Sequence, residues 1–419
     1  MCTTYLASEL ISEFSEVDVI GYPRLVRLNP NIPWKTRGNG AISVRFGKGH
    51  GRKFPIGEIN GETIFGYEKG REVDINDVKN RVRRIVEGNA RFEDENTNPA
   101  FVITGKKPPQ GLYWKAVRQV VELYDVKNIL DQLGADFRGY KNKRGLIGAS
   151  AAVSWRPRDK TYEITAYREK KRWGSKRKVG RDSVIKMDKK VSSTFNNYDY
   201  HNRNIVIAPN SPCPVLFGIR GTTPKDLPRA MGMIKSEKKD RWVIFETNQG
   251  TDEHLQKKSI GAISKYTSVI TKGAVVSQPR TIEGGHVIFT IENHGTIDCA
   301  AYEPTKEFRG LVRNLRAGDE VTVYGGVRKS PLTINIEKMK VHFLVDSYVK
   351  SGNPKCPKCG KKMKSIGKGA GFRCSTCRIK AGEEQVPRKR EKRALKRGFY
   401  EVPVCARRHL AKPLKRIKT

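Results

Sequence analysis

Four cysteines in one short stretch, Cys356-x2-Cys359-x14-Cys374-x2-Cys377, constrain this chain more than any other feature. Each Cys-x-x-Cys turns two thiolates onto one metal, and the spacer is long enough to fold back and bring the second pair to the same ion. This is the spacing of a structural zinc site, whereas a redox dithiol needs only one such pair beside a βαβ unit. The sequence therefore predicts a zinc ribbon with Cys356, Cys359, Cys374 and Cys377 as ligands. Cys2, Cys213, Cys299 and Cys405 are scattered and read as reduced thiols.

A ribbon occupies little of a 419-residue chain, which has room for about two to four domains. Apolar residues make up 37% and charged residues 30%, which permits folded cores and excludes a mostly disordered or fibrous chain. No apolar run is long enough to span a bilayer. Met1-Cys2-Thr3-Thr4-Tyr5, followed by Glu9 and Glu13, lacks the basic start of a secretory signal, so the reading is a cytoplasmic protein without a membrane partner. The formal net charge of +39 points to a polyanionic partner, since each phosphate neutralised releases counterions. The excess is clustered: residues 387–419 hold thirteen Lys and Arg against Glu391 and Glu401, and Tyr167 to Lys190 holds eleven against three acids.

Periodicity divides the chain into an α+β first half and an all-β stretch. Leu6, Leu10 and Ile11 fall at helical spacing, Ala41 to Phe46 alternates like a strand, and Val78, Val82, Ile85 and Val86 form a helical stripe. Helices are predicted around Trp114 to Tyr124 and again through Val126, Ile129, Leu130 and Leu133. Strands follow at Tyr162–Tyr167, Val206–Ile207, Val215–Ile219 and Trp242–Phe245, with a helix near Asp226 to Ile234. Residues 271–346 carry five strands: Ala274–Gln278, His286–Ile291, Thr296–Tyr302, Glu320–Val327 and Leu332–Val341. Five strands with a turn inserted between the third and fourth fit an OB-fold barrel, a common nucleic-acid module, as well as a generic barrel or sandwich.

Four constellations bear chemistry. In Asn29 to Gly40 two prolines stiffen the backbone, Gly38 and Gly40 admit close approach, and Lys35, Thr36, Arg37 and Asn39 supply donors. Such a loop suits phosphate, though the Walker spacing is absent and an ordinary surface loop has the same composition; Asn96-Thr97-Asn98-Pro99 is open between Asx-turns and ligand contacts. Pro212-Cys213-Pro214 displays a thiol rigidly, with Gly218 and Gly221 around Arg220. Phe245 to His254 closes a strand with Glu246, Asp252 and Glu253, either an acidic pocket for a small cation or a capped turn. Tyr167 to Trp173 interleaves rings with cations, as RNA-stacking surfaces do, or as a strand with core aromatics does.

In this order the segments resemble the archaeal 2-agmatinylcytidine synthetase family, which acts on a minor isoleucine tRNA. The resemblance rests on Met1-Cys2-Thr3-Thr4-Tyr5-Leu6, Gly21 to Leu25, Asn29 to Gly40, Asn96 to Pro99, Pro212 to Gly221, Glu246 to His254 and the four-cysteine ribbon. It implies a kinase-like ATP domain over 1–125, a ferredoxin-like agmatine-binding domain over 126–270, an OB-fold tRNA-binding domain over 271–346, a zinc ribbon over 347–386 and a basic tail over 387–419. It further implies ATP, Mg2+ and Zn2+ as cofactors, with minor isoleucine tRNA, agmatine and ATP as partners. The activity implied is an ATP-dependent ligase that phosphorylates the 2-oxo group of the wobble cytidine and replaces it with agmatine, releasing AMP and phosphates. Thr3 or Thr4 resembles an autophosphorylated threonine. Lys35, Thr36, Arg37, Asn39, Asn96 and Asn98 are expected at the nucleotide or base, and Cys213, Arg220, Glu246 and Asp252 at agmatine.

Family members also carry an Asp-Asp-Thr-Asp strand just before Met-Cys-Thr-Thr, and this sequence starts at that Met. The expectation is that the native protein is longer and that the magnesium-binding aspartates lie upstream. A non-catalytic OB-fold and zinc-ribbon RNA-binding protein is the alternative reading, with single-stranded DNA binding behind it.

Overall fold

The computed structural model describes residues 2–35 and 38–417. It opens with α1 (Thr3–Glu13), which splits its apolar residues between two cores: Tyr5, Ala7 and Ile11 face the main sheet, and Leu6 turns with Phe14 toward α2 (Val78–Asn89). Next come β1 (Asp18–Ile20), β2 (Arg24–Arg27) and β3 (Gly40–Ser43), followed by a long hairpin of β4 (Phe46–Ile59) and β5 (Glu62–Arg71). The hairpin is an element the hydrophobic pattern does not announce, because glycines and lysines fill its positions. After α2 come β6 (Ala100–Ile103), α3 (Gln110–Arg118), α4 (Leu123–Gln132), β7 (Asp136–Gly139) and α5 (Gly145–Ser154).

The two helices expected around Trp114 to Tyr124 and through Val126 to Leu133 are present with shifted bounds: α3 starts earlier and ends at Arg118, and α4 begins at Leu123. Both pack with α5 into one core around Tyr113, Val117, Leu130, Ala151 and Trp155. The boundary expected at 125/126 thus falls inside a shared core. Helix α5 is built from Gly, Ala and Ser with Leu146 and Ile147, so it is buried on nearly every side and shows no amphipathic stripe.

β8 (Thr161–Arg168), α6 (Arg181–Lys190), β9 (Thr194–Phe195), β10 (Tyr198–Asp199), β11 (Asn204–Ile205), β12 (Val215–Gly221), α7 (Leu227–Gly232) and β13 (Lys239–Thr247) complete the α+β half. One sheet in the order β1-β5-β4-β13-β8-β12-β9 runs through both expected domains, with β2 pairing parallel to β13 and antiparallel to β3. Tyr167 and Trp173 are core in this structure. Tyr167 is fully buried, Trp173 stacks edge-on against Tyr5 at 5.2 Å, and the intervening Arg168 is buried against Glu237 at 2.7 Å. The stacking-surface reading of that stretch is corrected accordingly.

β14 (Leu255–Lys257) leads into the barrel of β15 (Ser268–Val275), β16 (Arg280–Ile282), β17 (His286–Glu292), β18 (Thr296–Ala301), α8 (Phe308–Arg313), β19 (Glu320–Val327) and β20 (Thr333–Phe343). β15, β19, β20, β18 and β17 pair in a ring that closes through β15–β17, with β18 and β20 parallel and α8 where the inserted turn was expected. Alternate inward residues such as Val269, Phe289, Ile291, Val321, Val323 and Ile336 fill it. β21 (Tyr348–Lys350) pairs with β25 (Arg388–Arg390) as the stalk of a ribbon whose β22 (Lys364–Ser365), β23 (Phe372–Arg373) and β24 (Lys380–Ala381) form a small sheet. β26 (Gly398–Glu401) then joins the barrel beside β20.

The basic C-terminal segment is no free tail. Beyond β26 it runs back as a strap: Gly250 N–H donates to His409 O (2.8 Å), Asp252 N–H to Leu410 O (2.9 Å), and Leu410 is buried in the core of α3–α5. Among the described residues of the strap, Lys412 and Arg416 pair with Asp159, Arg407 with Glu401 and Arg408 with Glu337, and Lys415 donates to Thr194 O at 2.8 Å.

Candidate active site

The N-termini of α1 and α5 open onto one pocket, lined among others by Thr3, Trp34, Lys35, Asn39, Asn96, Asn98, Arg144, Gly145 and Gly148. Neither helix has a side-chain cap or an acidic residue in its first turn. The positive ends of both helix dipoles therefore face the pocket, where they favour an anion, while Leu146 and Ile147 N–H already donate to Lys143 O and Arg144 O at 3.1 Å each. Lys35 and Arg144 add two full charges. Burial, then the nearby Arg408 charge, push the Lys35 ammonium below its ordinary range. Arg144 stacks over the Trp34 ring at 5.0 Å and donates to Val121 O at 3.2 Å, so its guanidinium is held in place. Gly145 is obligatory at this wall: a Cβ there would lie 2.1 Å from Asn98 O.

The loop that carries Lys35 is fixed from behind. Asn39, with φ at +34°, donates from Nδ2 to Asn29 O at 2.7 Å and closes the loop on itself. Asn29 Nδ2 donates in turn to Gln119 O (3.1 Å) and Tyr266 O (2.8 Å), and Asn31 Nδ2 to Thr267 O (2.8 Å). The phosphate-loop candidate is thereby stapled to the barrel. Asn96 N–H is bonded to Asp94, and Asn98 Oδ1 accepts from Asn142 N–H at 3.4 Å, so the Asn96–Asn98 turn doubles as pocket wall. Thr36 and Arg37 lie outside the described residues. Thr3 lines the pocket; the Thr4 hydroxyl instead sits 3.6 Å from Cys2 Sγ.

Across the sheet the four expected agmatine residues separate. Arg220 pairs with Glu163, a residue the sequence reading passed over, at 3.1 Å on the face shared with Gly218 and Gln249. Burial alone would raise the Glu163 carboxyl, but Arg220, Arg27 and the Gln249 amide outweigh it and hold it below the usual carboxylate range. Cys213 accepts from Arg177 at 3.4 Å. Glu246, opposite Tyr162 in the ladder, is on the other face from Glu163, clamped by Lys160 (2.6 Å) and Arg24 (3.3 Å). Asp252 is tied to buried Lys338 (2.6 Å) and to the Lys412 N–H (2.6 Å), where barrel, sheet and strap meet. The missed signals were local: Glu163 is a carboxylate inside an apolar strand of a cationic chain, and Arg144 is a cation just ahead of a small-residue helix.

The four ribbon cysteines converge as their spacing requires, with one sulfur from each lying within 4.8 Å of the others. Two tight turns, Gly360 N–H to Cys356 O (2.9 Å) and Arg378 N–H to Cys374 O (3.0 Å), aim the thiolates inward. A donor set of four sulfurs with this geometry fits zinc.

Comparison with known proteins agrees with this organisation. Residues 1–142 match the family model of the TiaS TCKD domain, 143–254 the TiaS FLD domain, and 353–395 the TiaS C-terminal zinc ribbon domain. These matches define a multidomain α+β protein, and the closed barrel lies in the stretch between the second and third matches. The isoleucine tRNA 2-agmatinylcytidine synthetase TiaS of Methanocaldococcus jannaschii is 43% identical over 99% of this chain and 95% of its own length. That of Methanosarcina acetivorans is 43% identical over 99% and 94%. Among solved structures, a complex of TiaS with its isoleucine tRNA and ATP superposes with a TM-score of 0.84 at 39% identity, covering 100% of this chain and 94% of that one. A complex of TiaS with the same tRNA, AMPCPP and agmatine gives 0.80 at 36%, with the same coverage. The chain belongs to the TiaS family of 2-agmatinylcytidine synthetases.

Proposed function

We propose that this protein uses ATP to attach agmatine to C2 of the wobble cytidine of the minor isoleucine tRNA. A ring carbonyl oxygen is a very poor leaving group. In this reading the O2–Pγ bond forms as the Pγ–Oβ bond of ATP breaks, and the agmatine nitrogen then bonds to C2 while O2 departs with the phosphate. The amine must shed its proton before attack. Attack of water on Pβ of the resulting ADP, forming a second phosphate as the Pα–O–Pβ bridge breaks, would complete the conversion to AMP, and Mg2+ would accompany the triphosphate as its counter-ion.

The observation that carries the reading is the pocket at which the N-termini of α1 and α5, Lys35 and Arg144 converge beside Thr3. That arrangement suits a triphosphate, with Lys35, Asn39, Asn96 and Asn98 as its walls. It also favours Thr3 over Thr4 as the threonine that takes a phosphoryl group. For the amine we favour the Cys213, Arg220 and Glu163 side of the sheet, where Glu163 is the carboxylate suited to a guanidinium, with Glu246 on the opposite face. Asp252 we assign to holding the strap.

Incubating the protein with the minor isoleucine tRNA, ATP and labelled agmatine tests the reading. Label in the tRNA with stoichiometric AMP is expected. Tight tRNA binding without either product would favour the non-catalytic binding protein instead.

A further inference from the structure

The β4–β5 ribbon takes no part in the pocket. Near its turn Gly57 and Glu58 pair with β13 while Ile56 and Ile59 enter the sheet core, and toward its other end the ribbon is edged by β1 with its basic side chains outward. Across the arm Lys48 stands opposite Arg71, and His50 opposite Lys69. The facing like charges of Lys48 and Arg71 repel. The fold gives them no relief: Lys48, His50, Arg52, Lys53, Lys69 and Arg71 are all exposed, and none pairs with a carboxylate among the described residues. Glu58 and Glu62 lie around the Asn60-Gly61 turn, while within the arm Glu68 sits beside Gly51 and Asp18 accepts from Gly49 N–H at 2.8 Å, two acids among six basic side chains.

The cations are interleaved with rings. The Lys53 ammonium sits 4.0 Å from the centroid of Phe65, which is 36% exposed, and Arg52 lies 6.0 Å from Phe54. A lone exposed ring among cations is poorly suited to a bilayer, which asks for several apolar anchors. It suits an unpaired base stacked on Phe65 while the flanking side chains neutralise phosphates.

We propose that the β4–β5 ribbon is an RNA-binding arm that grips the sugar–phosphate backbone of the tRNA, with Phe65 stacking on a base. This rests on the tRNA-modifying reading above and extends it to a surface remote from the chemistry. The test is the affinity of the full chain for the minor isoleucine tRNA as a function of salt. Combining Lys48→Gln, Lys69→Gln and Arg71→Gln should lower the salt slope by about two to three and weaken binding at low salt at least about tenfold. ATP affinity without tRNA should be unchanged, and removing facing like charges should leave the melting temperature equal or higher. Phe65→Ala should weaken tRNA binding about tenfold with the slope preserved.

An unchanged slope and affinity in the triple variant, with the wild type binding and modifying tRNA, would overturn the arm alone. A wild type that neither binds nor modifies tRNA would overturn the functional reading and the arm with it. Loss of binding to polyglutamate or phosphatidylserine vesicles, with tRNA binding intact, would assign the ribbon to another partner and overturn the proposal.

Discussion

Arg220 Nη2 lies 3.0 Å from His409 Nδ1, although 189 residues separate them in sequence. The strap thus reaches the strand proposed to face the amine, and it does so on a backbone anchored at Gly250 and Asp252. Its firmest apolar hold is Leu410, which is 2% exposed in the core of α3–α5. Leu410→Ala should cost about 2–5 kcal/mol of stability, read as a shifted denaturant midpoint with unchanged slope.

Asp252 and Lys338 separate a structural role from a ligand role. Lys338 is 1% exposed and holds Asp252 at 2.6 Å. Removing the carboxylate strands a buried ammonium, so Asp252→Ala should destabilise by about 3–5 kcal/mol. An amine-binding carboxylate would instead leave the melting temperature alone and raise the KM for agmatine.

Arg144 should be required for nucleotide. A charge-assisted hydrogen bond is worth about 1.5–3 kcal/mol, so Arg144→Ala should weaken ATP binding about 10- to 100-fold by calorimetry. Gly145→Val should abolish it, because the new side chain would collide with Asn98 O and Ala100.

Glu253 gives a pH signature. Burial pushes its carboxyl up to about 7 from 4.5, against the lowering effect of the Tyr113 hydroxyl that hydrogen-bonds to it. The folded state therefore binds a proton that the unfolded state releases. Its contribution is complete below about pH 4.5 and is lost as pH rises through about 7, by up to about 3 kcal/mol. Glu253→Gln cannot titrate, so its stability advantage over the wild type should grow across that window in denaturant melts.

Zinc should be integral to the ribbon. Cys374→Ser or a strong chelator should remove about one equivalent of zinc by elemental analysis and unfold the ribbon. Because the barrel has its own core, the main thermal transition should persist while tRNA affinity falls.

What depends on local spacing and period was legible from the residues: the zinc ligands from two Cys-x-x-Cys turns and the barrel strands from alternation. Those signals are readable without long-range context because each is written in a short window of sequence, a fixed cysteine spacing or a two-residue alternation. Packing between distant segments set the rest. Which threonine meets the pocket depends on how α1 docks. Whether Tyr167 is a platform or core depends on Tyr5 packing over it, and the fate of the basic C-terminal residues depends on acids such as Asp159, Glu337 and Glu401, two of them far back in the chain. Charge pairing and side-chain burial are relations between separated stretches of chain, so a residue's type and near neighbours do not contain them.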